Sequence, residues 1–221
     1  NSLGAAAQNL IKKIPVEDLN DGDVLITNDP WMSAGHFFDI TILTPIFRKD
    51  RLIGFCGSTI HHTDIGGYGI GAGARDIHEE GLWIPVLKLY ERGELNDTLS
   101  KIIHTNVRTP NAIFGDLGAQ VASGKTGAER LNGMCDRYGL DDIGTLADEI
   151  ISRSEASTRD AIKELPGGTF VGETTFDVPS GEVIKLVTSV TIDVQTGSIE
   201  IDFSGSSGPS SSGINVVMAY T

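Results

Sequence analysis

The sequence predicts an α+β fold: antiparallel hairpins with glycine-rich loops, then two central helices, then a C-terminal β-meander. Apolar and β-branched residues run or alternate as in strands over 24–60 and 182–203, whereas a spacing of three and four dominates 117–165. Strands, then helices, then strands, with no repeating strand–helix–strand unit, argue against a doubly wound parallel sheet. Three regions follow: 1–110, rich in strands; 111–166, helical; and 167–221, antiparallel strands.

The turn signal Asn20-Asp21-Gly22-Asp23 precedes a short apolar run, Val24 to Thr27, which Asn28-Asp29-Pro30 stops. Ile40 to Phe47 and Leu52 to Ile60 are strand-like runs separated only by Arg48-Lys49-Asp50-Arg51, which predicts a hairpin. Ile65 to Ala74 carries five glycines and is a loop by composition. Leu117, Val121, Gly124, Ala128, Leu131, Cys135 and Tyr138 mark one face of a helix. A second helix is expected from Ile143 to Leu165, capped by Asp141 or Asp142 and stopped by Pro166-Gly167-Gly168. Between Glu182 and Val194 the even-numbered apolar positions share one face, Gln195-Thr196-Gly197 turns the chain, and Ser198 to Phe203 returns.

Composition narrows the function. The 17 Lys and Arg against 30 Asp and Glu give a formal charge of −13, which repels a phosphate backbone, so nucleic acid is not an expected partner. The longest stretch without charge, Phe203 to Thr221, is mostly Ser and Gly and is unsuited to hydrocarbon. Asn1 to Leu10 has no basic start and does not resemble a secretory signal. Cys56 and Cys135 lack metal-type spacing and are expected to be reduced core thiols, consistent with a cytoplasmic protein. Gly124-Lys125-Thr126 lacks the upstream glycine of a phosphate loop and lies within a helical stripe. The glycines from Gly66 to Gly73 open no helix that could receive a pyrophosphate. No nucleotide-binding residue is therefore expected in this chain.

The histidines are more informative. A turn at Arg48 to Arg51 sets Asp39 opposite Ile60, and one bulged residue would set it opposite His61. His36 lies three residues before Asp39, so both side chains converge only if the chain bends after Gly35. With that bend, two imidazoles and a carboxylate gather at one hairpin end, a set suited to Zn, Mn or Fe(II) with positions left open for reaction. Spacing alone also accommodates the alternative, that His36 and His61 are ordinary turn or core histidines.

Several blocks carry a resemblance. Gly22-Asp23-Val24-Leu25-Ile26-Thr27-Asn28-Asp29-Pro30-Trp31, Gly35-His36-Phe37-Phe38-Asp39-Ile40 and His61-His62-Thr63-Asp64-Ile65-Gly66-Gly67 come first. Glu80 to Pro85, Asn106 to Pro110, Gly115 to Gln120 and Ile199 to Gly205 follow in order. Together they resemble the hydantoinase B/oxoprolinase family, which includes B-type subunits of ATP-dependent hydantoinases, oxoprolinases and lactamases and subunits of acetone and acetophenone carboxylases.

The resemblance implies one divalent metal ion held by His36, Asp39 and His61. It also implies an A-type partner subunit that binds ATP and activates the substrate. The expected function is the metal-bearing B-type subunit of an ATP-dependent hydrolase that opens cyclic amides such as hydantoin, 5-oxoproline or a lactam. The alternatives are a subunit of an ATP-dependent ketone carboxylase and, from another class, a non-catalytic scaffold. His62, Asp64, Gly66 and Gly67 are expected beside the ligands, orienting them or facing substrate. Family subunits are longer at both ends, so the chain is expected to be part of a longer polypeptide.

Overall fold

The computed structural model describes residues 2–71, 73–178 and 180–219, so Ala72 of the expected glycine-rich loop lies outside the described residues, as do Tyr220 and Thr221. The fold is α+β, as the sequence predicts, with two antiparallel sheets among the described residues. The chain divides into two compact units, residues 1–143 with 216–221, and residues 144–215.

In the first unit, a helix α1 (Ser2–Lys13) precedes β1 (Val24–Thr27), β2 (Asp39–Arg48) and β3 (Arg51–His61). Then come β4 (Leu87–Glu91), β5 (Glu94–Leu95), α2 (Asp97–Asn106) and α3 (Pro110–Tyr138). The sheet order is β3-β2-β1-β4-β5, every pair antiparallel. Lys49 and Asp50 take φ of 50° and 62°, the left-handed pair that a two-residue hairpin turn requires. A register shift between Ile46 and Phe47 then moves the pairing by one residue, and Asp39 faces His61. This is the bulged alternative of the sequence reading.

Period-two alternation gives the sheet two different faces. Ile40, Ile42, Val24 and Ile26 join Leu99, Ile103, Ile113 and Leu117 in a core beneath α2 and α3. Leu25 and Leu43 point the other way and pack with Leu10 and Leu19 on the α1 side. Each fully buried side chain of this size contributes ~1.5–3 kcal/mol of apolar burial.

The helices begin and end for local reasons. Asn96 Oδ1 accepts from the Leu99 amide at 3.1 Å and caps α2. Pro110 opens α3, where its missing N–H costs nothing. Gly139, at φ 66°, ends α3 as Leu140 N donates to Cys135 O at 2.8 Å. Cys56 and Cys135 are free thiols on β3 and α3.

The second unit pairs α4 (Gly144–Lys163) with a meander β6-β7-β8: Gly168–Asp177, Val183–Asp193 and Ser198–Asp202. The two central helices therefore lie close to their expected spans, with α3 starting earlier. α1, α2, β4, β5 and β6 are elements that the periodicity of the sequence does not mark.

Candidate metal centre

Two pieces of backbone bring the three predicted residues together. Asp39 N donates to His36 O at 3.2 Å, closing a reverse turn just before β2 and folding His36 back beside Asp39. The β2–β3 ladder places His61 directly across from Asp39. His61 Nδ1 lies 3.1 Å from Asp39 Oδ1, and His36 Nδ1 lies 3.6 Å from Asp39 Oδ2. The imidazole centroids are 5.0 Å apart and nearly perpendicular, and Phe38 stacks on His61 at 5.5 Å and 14°. Asp39 is mostly covered, with a side chain 18% exposed, whereas the His36 and His61 rings are about half exposed.

The donor set fits a divalent cation. One ligating atom from each of the three residues lies within 4.8 Å of the others. Tetrahedral donors bonded at ~2.1 Å to a common ion are ~3.4 Å apart, so side-chain adjustments of at most ~1.4 Å would bring these atoms to one ion. Moreover, His36 Nδ1 is buried and has no hydrogen-bond partner. A buried lone pair or N–H left unmatched costs ~1–3 kcal/mol, a cost that a bound cation would remove.

His62 turns to the opposite face of the sheet, as alternation requires, and is fully buried. Gln120, on α3, donates its amide nitrogen to Ile40 O at 3.0 Å and to Ser58 O at 3.3 Å. Those carbonyls only accept, so the amide oxygen faces His62 Nε2, 3.3 Å away, and His62 Nε2 must be the donor. Burial pushes the His62 pKa below its ordinary value, with the Gln120 bond and Asp116 opposing, so the folded protein favours the neutral ring. Gln120 thereby ties α3 to β2, β3 and the residue following His61.

Asp64, Gly66 and Gly67 form a second polar knot. Asp64 Oδ1 accepts from Gly66 N and from the Arg108 guanidinium, both at 2.9 Å. Its Oδ2 accepts from the amides of Arg108 and Thr109. Arg108 also donates to the carbonyls of Gly66 and Gly67. Gly66 and Gly67 have φ of 80° and 59°, and a Cβ on either would lie 2.5 Å from backbone atoms of Asn106 or Glu80. The structure thus brings His36, Asp39 and His61 together, sets His62 beneath them under α3, and gathers Asp64, Gly66 and Gly67 around Arg108.

Gln120, Arg108 and Asn28 stand in the blocks that carry the resemblance, but the sequence reading gave them no role. Their type was the available signal: uncharged or paired polar residues inside apolar surroundings are hydrogen-bonded, and therefore anchor something.

A family model described as hydantoinase B/oxoprolinase matches residues 1–221. A protein of Pseudomonas sp. (strain NS671), named as the B-type component of a D-/L-hydantoinase, is 36% identical over 204 residues, 87% of this chain and 34% of that protein. The structure resembles the ATP-dependent caprolactamase of Pseudomonas jessenii with a TM-score of 0.80 at 24% identity, over 91% of this chain and 36% of that one. It resembles nucleotide-free acetone carboxylase with a TM-score of 0.82 at 22% identity, over 92% and 29%. The latter two likenesses establish the fold, and the chain spans about a third of the length of these relatives.

Proposed function

The chain belongs to the hydantoinase B/oxoprolinase family, and from that premise we propose that it is the metal-bearing part of a B-type subunit in an ATP-dependent hydrolase of cyclic amides. The observation that carries this reading is the convergence of His36, Asp39 and His61, with an unmatched buried nitrogen on His36. A divalent ion bound there supplies a Lewis acid that polarises a carbonyl or lowers the pKa of bound water to ~7.

The chain's own residues have separate tasks. His36, Asp39 and His61 would hold the ion, and a set of only three protein donors would leave room for water or substrate. Asp39 is the carboxylate of the set, and its two oxygens face the two rings, Oδ1 at 3.1 Å from His61 Nδ1 and Oδ2 at 3.6 Å from His36 Nδ1. Phe38 stacks on His61 and limits rotation of that ring. Gln120 holds the His62 ring on the far face, which restrains the end of β3 where His61 sits.

Activation of the substrate belongs to an A-type ATPase partner in this reading. An unactivated amide is a poor electrophile, and phosphorylation would supply a leaving group. Lys125 and Thr126 lie in the middle of α3 and not at a strand–helix junction, which agrees with ATP being handled by the partner. The likeness to a hydantoinase component at 36% identity favours amide-ring opening over ketone carboxylation.

The test is ATP turnover by the reconstituted complex with hydantoins, 5-oxoproline and lactams, compared with ketones plus bicarbonate. Turnover that depends on a cyclic amide supports the proposal. Turnover only with a ketone and bicarbonate replaces it with the carboxylase reading, and a wild-type protein that retains no ion leaves the scaffold reading.

A further inference from the structure

We infer that Asn28 is a positioning residue for the metal centre: its side chain fixes the His36–Asp39 turn against the segment 82–84. This rests on the reading of His36, Asp39 and His61 as metal ligands. Asn28 follows β1 directly and is fully buried. Its amide nitrogen donates to Phe37 O at 2.8 Å and to Leu82 O at 2.9 Å, and its Oδ1 accepts from Ile84 N at 2.7 Å. Both N–H groups and the carbonyl are therefore used. Two partners only accept and one only donates, so the amide has a single possible orientation.

Phe37 lies inside the turn that carries His36 and Asp39, so the bond to its carbonyl acts on the backbone between two ligands. The turn is closed by the hydrogen bond from Asp39 N to His36 O, and it is tied to the end of β3 by His62 N, which donates to Phe38 O at 2.8 Å, and to Glu80 by Phe37 N, which donates to Oε2 at 3.5 Å. Asn28 adds the tie to the end of β1 and to the segment 82–84 at the peptide between the two ligands, and Phe37 adds a buried ring against Trp83 at 5.7 Å. No other side chain reproduces the pattern. Asp would set a carboxylate oxygen against two carbonyls, Gln is one methylene too long, and Ala leaves three groups unmatched.

The test measures Co(II) affinity by chelator competition, and the Co(II) absorption spectrum, at a temperature where every variant is folded by circular dichroism. Asp23→Asn is the control. Asp23 is an equally buried anchor at the opposite end of β1, bonded to Asn20 N, Arg92 N and Lys88. Asn28→Ala is expected to weaken Co(II) binding ~10–100-fold, the usual effect of losing a group that orients a ligand, and to change the spectrum. Asp23→Asn is expected to leave both as in wild type. If Asn28→Ala does not fold, Asn28→Ser, which keeps one hydroxyl donor, carries the same measurement. A folded Asn28 variant with wild-type affinity and spectrum overturns the proposal, as does an equal loss in Asp23→Asn. Failure of the wild-type protein to bind Co(II) at all instead overturns the metal reading itself.

Discussion

At Asp64, burial and hydrogen bonding act on the carboxyl in opposite directions. Burial raises its pKa, but the amides of Arg108, Gly66 and Thr109 and the Arg108 guanidinium outweigh burial and hold it below the ordinary 3.8. A depressed carboxylate pKa stabilises the fold above the unfolded-state value, and that stabilisation is lost as pH falls from there through the folded value. Asp64→Asn is therefore expected to cost ~1–3 kcal/mol at neutral pH, with the deficit shrinking as pH falls below the ordinary 3.8 and through the lower folded value. Urea unfolding at pH 7 and in acid measures both; an equal deficit at the two pH values would show that the charge contributes nothing. The meeting of His36, Asp39 and His61 was legible in the sequence because the hairpin arithmetic comes within one bulged residue and one bend of it, and the family resemblance points to the same three residues. Asn28, Gln120 and Arg108 were not, because a buried polar anchor is defined by partners far along the chain and leaves no periodic trace.

The β2–β3 hairpin and α3 form the platform under the site, and they touch more closely than side chains ordinarily allow. A Cβ on Gly124 would lie 2.2 Å from Thr44 Oγ1, and one on Gly127 would lie 2.6 Å from Cys56 Sγ. Gly124→Ala is expected to destabilise the protein by ~1–3 kcal/mol through overpacking, although alanine gains ~1 kcal/mol in helix propensity. A thermal melt decides between them: a raised Tm would mean that α3 sits farther from β2 than described. The hairpin and α3 could be read from sequence because each repeats its pattern over ten residues or more. In contrast, α2 offers few repeats, with Leu99 and Ile103 as its buried apolar residues, and β5 has only two residues. β6 interrupts its alternation with Gly172 and Thr174 between Phe170 and Phe176, which weakens the strand signal.

The whole molecule is an acidic chain of 221 residues that covers about a third of its relatives' length, with no described helix long and apolar enough to cross a membrane. In the second unit, pairing sets Phe170 beside Val190 and Ile201, and Ile192 beside Ile199, so one face of β6-β7-β8 is apolar. Much of that face is open, with Ile201 55% exposed. The first unit carries the candidate centre, where the proposed function makes three side chains one ligand set. Removing any one leaves two donors, too few to hold a divalent ion against water. The most direct measurement is elemental analysis of purified wild type, His36→Ala, Asp39→Ala, His61→Ala and His62→Ala after loading with Zn, Mn or Fe(II) and desalting. A single retained ion in wild type, none in the three ligand variants and a loss of ~10-fold in affinity for His62→Ala is the predicted result. Retention of the ion by the three ligand variants, or its loss from His62→Ala with retention in His61→Ala, would contradict the assignment.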